Sequence, residues 1–160
     1  MSPLNKRRWQ NFKQNKRAIY SLLIFSIFFL ISIFAEFIAN DKPLVIYYNK
    51  EFYSPIIKNY SERVFGGEFE TEAEYKTIEV ECLILSGGML EECLDNPRKI
   101  ISKIQELNLN NWILWPLIKS SFDTVNYDVD VAPSPPDNNH LLGTDDQTRD
   151  VVARIIYGFR

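Results

Sequence analysis

Ala18-Ile-Tyr-Ser-Leu-Leu-Ile-Phe-Ser-Ile-Phe-Phe-Leu-Ile-Ser-Ile-Phe-Ala35-Glu36-Phe-Ile38 decides the fold class. From Ala18 to Ala35 it carries no charged side chain and is rich in Leu, Ile and Phe. As a helix the whole segment is roughly 31 Å long, enough to cross a hydrocarbon core of roughly 30 Å. Its apolar surface leaves no polar face, which argues against a surface helix of a soluble domain. The run is also longer than a signal peptide needs. Phe37 stands two residues before Ala39, where cleavage requires a small side chain, so an uncleaved anchor is expected.

Charge sets the orientation. Lys6, Arg7, Arg8, Lys13, Lys16 and Arg17 precede the span with no acidic residue among them, which places the amino terminus in the cytoplasm. Everything after Asn40 then faces outward and carries 12 basic and 20 acidic residues, so the net charge of −3 conceals a basic inner end and an acidic outer part. Nucleic acid is not an expected partner, because topology and anionic headgroups already account for a basic patch abutting an apolar run. Trp9, Phe12 and Ile19 fall near one helical face, so the arm reads either as a helix lying along the membrane or as a disordered charged tail.

Beyond the span, Leu44 to Tyr48 and Phe52-Tyr53 around Asn49-Lys50 read as a short hairpin. Glu68, Glu70, Glu72 and Glu74 alternate with apolar or small residues, as in a solvated strand or an extended loop, and no Ca²⁺-loop order of Asp, Asn and Gly accompanies them. Asn96 as a cap, Pro97 at the first helical position and a stripe of Ile100, Ile101, Ile104 and Leu107 predict a surface helix ending near Asn108. Cys82 and Cys93 would lie where disulfides persist, and either a bridge or two free thiols fits the spacing. Trp112, Trp115, Phe122 and Tyr127 suggest an aromatic cluster around Pro116. Pro133, Pro135 and Pro136 read as a stiff connector.

At the far end, Gly143-Thr144-Asp145-Asp146-Gln147-Thr-Arg149-Asp150-Val-Val-Ala-Arg154-Ile-Ile-Tyr157-Gly158-Phe-Arg160 reads as an amphipathic helix. Thr144 and Gln147 have capping-box spacing, Asp150 and Arg154 stand four apart as a candidate ion pair, and Val151, Val152, Ile155, Ile156 and Phe159 recur on one face. Asp145 and Asp146 suit the positive end of the helix dipole. The expected fold is a membrane protein with one N-terminal transmembrane helix, a small α+β extracytoplasmic domain and a terminal amphipathic helix. Its parts are a cytoplasmic basic arm (1–17), the span (18–38), the insertion (39–131), the connector (132–142) and the helix (143–160).

Catalysis finds no foothold. Gly66-Gly67 and Gly87-Gly88 lack a following Lys-Ser or Lys-Thr, His140 has no nucleophile motif beside it, and two cysteines with one remote histidine make no zinc set. No catalytic, cofactor or metal residue is expected, and the chain is not expected to be an enzyme.

The stretch from Gly143 to Gly158 resembles the signature that precedes the second membrane helix in inner-membrane permease subunits of dipeptide and oligopeptide ABC importers, the OppC-like family. Further likeness, to the branch importing microcin C and peptides, runs through Arg8-Trp9 to Lys16-Arg17, Glu36 to Leu44, Asn59 to Glu62 with Phe65-Gly66-Gly67, Trp112 to Pro116, and Ser134-Pro-Pro136. Residues 77–110 depart from that pattern. The resemblance implies a bacterial inner-membrane location. It also implies a second permease subunit, cytoplasmic ATPase subunits that use the ATP, and an extracytoplasmic solute-binding protein. Gly143, Thr144, Asp145, Asp146, Arg149, Asp150, Arg154 and Gly158 become family-motif, subunit-contact residues. Because later membrane helices line the passage in that family, the chain is expected to be an N-terminal part, truncated or split, that does not transport alone. A single-pass anchored binding or assembly module is the alternative.

Overall fold

The computed structural model describes residues 2–107, 110–127 and 129–159, without the side chains of residues 105–107. The basic arm is helical: α1 (Pro3–Gln14) starts with Pro at its first position, and Ser2 Oγ accepts from Asn5 N at 3.4 Å. Asn15 breaks the helix with an extended backbone and caps α2 (Lys16–Ile33), its Oδ1 accepting from Ala18 N at 3.3 Å. Helix α2 is apolar around its circumference, and only 6% of its 18-residue window is buried. A helix this long and apolar with its side chains outward needs lipid or other helices as solvent. The predicted span to Ile38 is interrupted at Phe34 (ψ 18°) before a last turn, α3 (Ala35–Ile38).

A small α+β body follows. Strand β1 (Val45–Tyr48) pairs antiparallel with β2 (Glu51–Tyr53), Tyr48 opposite Glu51. Asn49 and Lys50 both adopt positive φ (48° and 69°), the requirement of a two-residue type I′ turn, so the hairpin closes although Lys is a poor residue there. Strand β3 (Trp112–Leu114) pairs with the other edge of β1, giving the order β2-β1-β3 among the described residues.

On the inner face of the sheet lies α4 (Ile78–Ser86), followed by α5 (Leu90–Asp95) and α6 (Pro97–Leu107). Helix α4 is buried on two sides: Val80 and Ile84 join the sheet core with Ile46, Tyr48 and Phe65, while Cys82 and Leu83 meet Leu90, Ile100 and Ile101. A disulfide links Cys82 to Cys93, Cα atoms 5.7 Å apart, and so ties α5 to α4. The end of α6 predicted near Asn108 lies outside the described residues. Phe65 is fully buried, ringed edge-on by Tyr48 (5.5 Å), Tyr53 (5.6 Å) and Tyr75 (6.0 Å). Just after it, Gly66 approaches Gly88 so closely that a Cβ would sit 2.7 Å from the Gly88 Cα, and both need positive φ.

The alternating glutamates take the loop alternative, pinned where Glu72 meets Lys42 and Glu70 meets Arg63. One sequence expectation changes here. The aromatics near Pro116 do not form one cluster. Trp112 stands on the outer sheet face with Tyr47 and Phe52, Trp115 packs toward the core, Phe122 reaches Tyr157 at 5.1 Å, and Tyr127 is exposed. Backbone alternation puts Trp112 and Trp115 on opposite sides, which proximity in sequence conceals.

Replacing Phe65 by Ala is expected to destabilise the body by about 3–5 kcal/mol, since it empties the centre of the ring cluster. Phe52→Ala, on the exposed face, should cost less than about 1 kcal/mol. Denaturant unfolding of both variants in detergent, followed by near-UV circular dichroism, tests the contrast.

Candidate functional site

The motif predicted to contact other subunits folds as a tight loop (144–150) followed by α7 (Val151–Gly158), not as one helix from residue 143. Gly143 has φ 73°, and a Cβ there would lie 2.2 Å from Ser134 O, so the glycine lets the connector double back onto the loop. Thr144 N donates to Ser134 O at 3.2 Å, and Ser134 N donates to Thr144 Oγ1 at 3.1 Å. Thr144 is therefore a strap between loop and connector rather than the helix cap. The connector is folded back, not an extended spacer.

Asp150 is the cap. Its carboxylate is 1% exposed, with Oδ1 accepting from Ala153 N at 2.9 Å and Oδ2 lying 2.9 Å from His140 Nδ1. The expected pair with Arg154 is not formed, because a capping carboxylate must turn toward the helix axis and away from the surface. Arg154 instead meets Asp145. Asp145 organises the loop: Oδ1 accepts from the backbone amides of Gln147 and Arg149, each at 2.9 Å, and Oδ2 accepts from Arg149 Nε at 2.9 Å. Burial opposes its ionisation, but the Arg149 guanidinium and the two amides hold its pKa at about 2. Gln147 thus serves Asp145 through its backbone, and no capping box forms. Asp146 and Gly158 are exposed, and the structure does not bring them to the cluster.

Sequence reasoning missed two partners. Asn126 accepts from Lys76 Nζ at 2.6 Å and donates through Nδ2 to Thr148 O at 2.9 Å, joining loop to body. Tyr157 holds α7 against the span: its hydroxyl lies 2.9 Å from Ala39 O and 3.0 Å from Glu36 Oε2. Sequence separations of 22 and 118 or more leave no local signal for either. The helix face in contact overlaps the predicted stripe in part. Val151, Val152 and Ile156 are partly buried and Phe159 stacks on Phe28 with centroids 5.1 Å apart, but Ala153, outside the stripe, is fully buried and Ile155 is about half exposed. Ser32, Ala35 and Ala39 are buried on the span side. Small residues on both elements permit the close approach that large apolar ones would prevent.

What this arrangement can do is mechanical. It fixes a short helix across the end of the membrane span and braces it against the α+β body, leaving Ile155 and Phe159 as apolar contact surface.

The folded pKa of Asp145 lies below its ordinary 3.8, so its stabilisation is complete above about pH 4 and lost as pH falls toward about 2. Asp145→Asn should destabilise the loop by about 2 kcal/mol at neutral pH and abolish that acid step. Amide exchange at Gln147 and Arg149, measured across pH, reads both effects.

The profile described as the N-terminal TM domain of oligopeptide transport permease C matches residues 2–55. Two curated relatives match essentially the whole chain. The peptidoglycan transport system permease protein YejE of Agrobacterium fabrum is 36% identical over 99% of this chain and 42% of its own length. The inner membrane ABC transporter permease protein YejE of Escherichia coli (strain K12) is 37% identical over 100% of this chain and 40% of its own. The chain thus spans about two fifths of the length of these relatives. No solved structure matches it. An outward-facing apolar helix, a permease-type amino-terminal segment and likeness to two YejE proteins from end to end together place this chain in the OppC-like family of ABC transporter permeases.

Proposed function

We propose that the chain acts as the N-terminal portion of a permease subunit in an ABC importer of peptides. The observation that carries this is similarity along the whole chain to two permease proteins. In this reading α2 crosses the inner membrane with α1 on the cytoplasmic side, supported by six basic and no acidic residues before Ala18. The α+β body and the loop before α7 lie outside, a placement supported by the Cys82–Cys93 disulfide, which suits an oxidising compartment.

The exposed apolar surface of α2, with Ile155 and Phe159 of α7, meets lipid and companion membrane helices from a second permease subunit or from the remainder of this one. ATP is used by partner ATPase subunits, and a solute-binding protein delivers the peptide outside. The chain itself performs no chemistry in this scheme; its part is to hold span, docked helix and body in fixed relation.

Topology is tested with cysteines placed at exposed sites, because Cys82 and Cys93 are buried and bonded. A membrane-impermeant maleimide should label Tyr127→Cys from outside an intact inner membrane, and Gln10→Cys only after permeabilisation; the reverse pattern would overturn the orientation. Function is tested by uptake. Expressed with the remaining importer components, the chain should restore peptide import to cells lacking this portion. Ala153→Leu, which forces a large side chain into the α7 seam, should reduce that import at least about fivefold, the low end of an overpacking cost of about 1–3 kcal/mol.

A further inference from the structure

Helix α1 buries none of its 12 residues, although only Asn15, in extended conformation (φ −88°, ψ 96°), separates it from the span. An isolated helix shorter than about 12–15 residues is marginal in water. Its charges also work against it. Lys6 stands in the first turn, at the positive end of the helix dipole, and with no acidic residue before Ala18 no basic side chain gains an i,i+4 partner. The helix therefore draws its stability from something outside the chain. At about 3.6 residues per turn, Leu4, Phe12 and Trp9 fall within one arc of about 140°, with Asn5 and Arg8 between them. Leu4 and Trp9 are exposed, and Trp9 stacks on Phe12 with centroids 5.7 Å apart. Lys6 and Lys13 border the arc on the Trp9 side, where the Lys13 ammonium lies 5.4 Å from the ring centroid, and Arg7 borders it on the Leu4 side. Gln10 and Gln14 take the opposite face.

We propose that α1 is an anionic-lipid binding site: it lies flat on the leaflet from which α2 enters the membrane, its Leu4, Trp9 and Phe12 arc in the headgroup layer and its bases on phosphate groups. Two observations select lipid as the occupant. The six basic residues before Ala18, unopposed by any acid, complement a negatively charged surface. The site is also continuous with the span, because α1 ends one residue before a helix whose apolar side chains face outward around its circumference, so headgroups lie within reach of its charges. Bases flanking an aromatic arc suit such a layer, where Lys and Arg stems cover the apolar ring atoms while their heads reach up to phosphate. A zwitterionic surface would accept the arc but give the bases no net attraction. The inference rests on the reading that α2 crosses the membrane.

The test places the full chain in nanodiscs of phosphatidylcholine, alone or with about 30% phosphatidylglycerol, carrying lipid spin-labelled near the headgroup. An environment-sensitive fluorophore is attached to Asn5→Cys, inside the arc, or to Gln10→Cys, opposite it; Cys82 and Cys93 are bonded and do not compete. With phosphatidylglycerol the Asn5→Cys fluorophore should be quenched and the Gln10→Cys fluorophore much less. Without it, or in the variant Lys6→Gln, Arg7→Gln, Arg8→Gln, the ratio of docked to free helix should fall at least about tenfold. Salt at about 1 M, where the Debye length is about 3 Å, should act in the same direction. Equal Asn5→Cys quenching in the two lipid mixtures, or equal quenching at the two labelled positions, would overturn the proposal. So would loss of that quenching when cytoplasmic ATPase subunits are added, which would give the face to protein. A fluorophore at Ile24→Cys, quenched by lipid spin-labelled deep in its chains, reads the span separately, so quenching there without quenching at Asn5→Cys removes this site alone.

Discussion

The buried carboxylate of Asp150 is the constraint on which the junction between body and span depends. A carboxylate at 1% exposure is tolerable only with partners, and here it has one at each oxygen: the Ala153 amide and the His140 ring. The first bond sets where α7 begins. The second sets where the connector returns, because His140 precedes the loop by only a few residues. Once both are made, Gly143 must adopt its left-handed backbone, Ser134 comes within reach of Thr144, and Tyr157 arrives two turns later at the carbonyl of Ala39. Removing either partner would leave one oxygen of a buried carboxylate unpaired, a larger penalty than loss of a surface ion pair.

Helix α4 plays the corresponding role within the body. It is the only described helix buried against both a sheet and other helices, so its residues divide between two apolar clusters. That division leaves no single periodicity in the sequence. Ile78-Glu-Val-Glu-Cys-Leu-Ile-Leu alternates like a strand at its start and is continuously apolar at its end. Neither a period of two nor one stripe at 3.6 describes a helix wetted only near its first turn.

Elsewhere the legible features were those set by local physics. The apolar run of α2 follows from composition alone, the hairpin at Asn49-Lys50 from the two short β-rich runs, and α6 from Pro97 and the isoleucine stripe. The junction was misread for the opposite reason. Thr144 with Gln147 and Asp150 with Arg154 have the spacings of a capping box and an ion pair, and those spacings are necessary but not sufficient. Asp145 takes both arginines and two loop amides, while Asp150 turns to the Ala153 amide and to His140. A partner ten residues away in a loop has no periodicity to announce it.

The seam between α7 and the span joins these two kinds of information. Ser32, Ala35, Ala39 and Ala153 are all buried, yet α2 as a whole keeps nearly all its bulky side chains outward. In water such a helix would bury its Leu, Ile and Phe and leave the small residues at the surface, since apolar burial drives folding there. The inversion is what lipid imposes: bulky side chains lose nothing by facing hydrocarbon, and helix contact depends on close approach. The Ser32 hydroxyl, buried without a hydrogen-bond partner among the described residues, fits the same account, because at this contact its size matters more than its polarity. The chain therefore packs by two rules: small residues where α7 meets the span, and aromatic and branched residues where α4 meets the sheet.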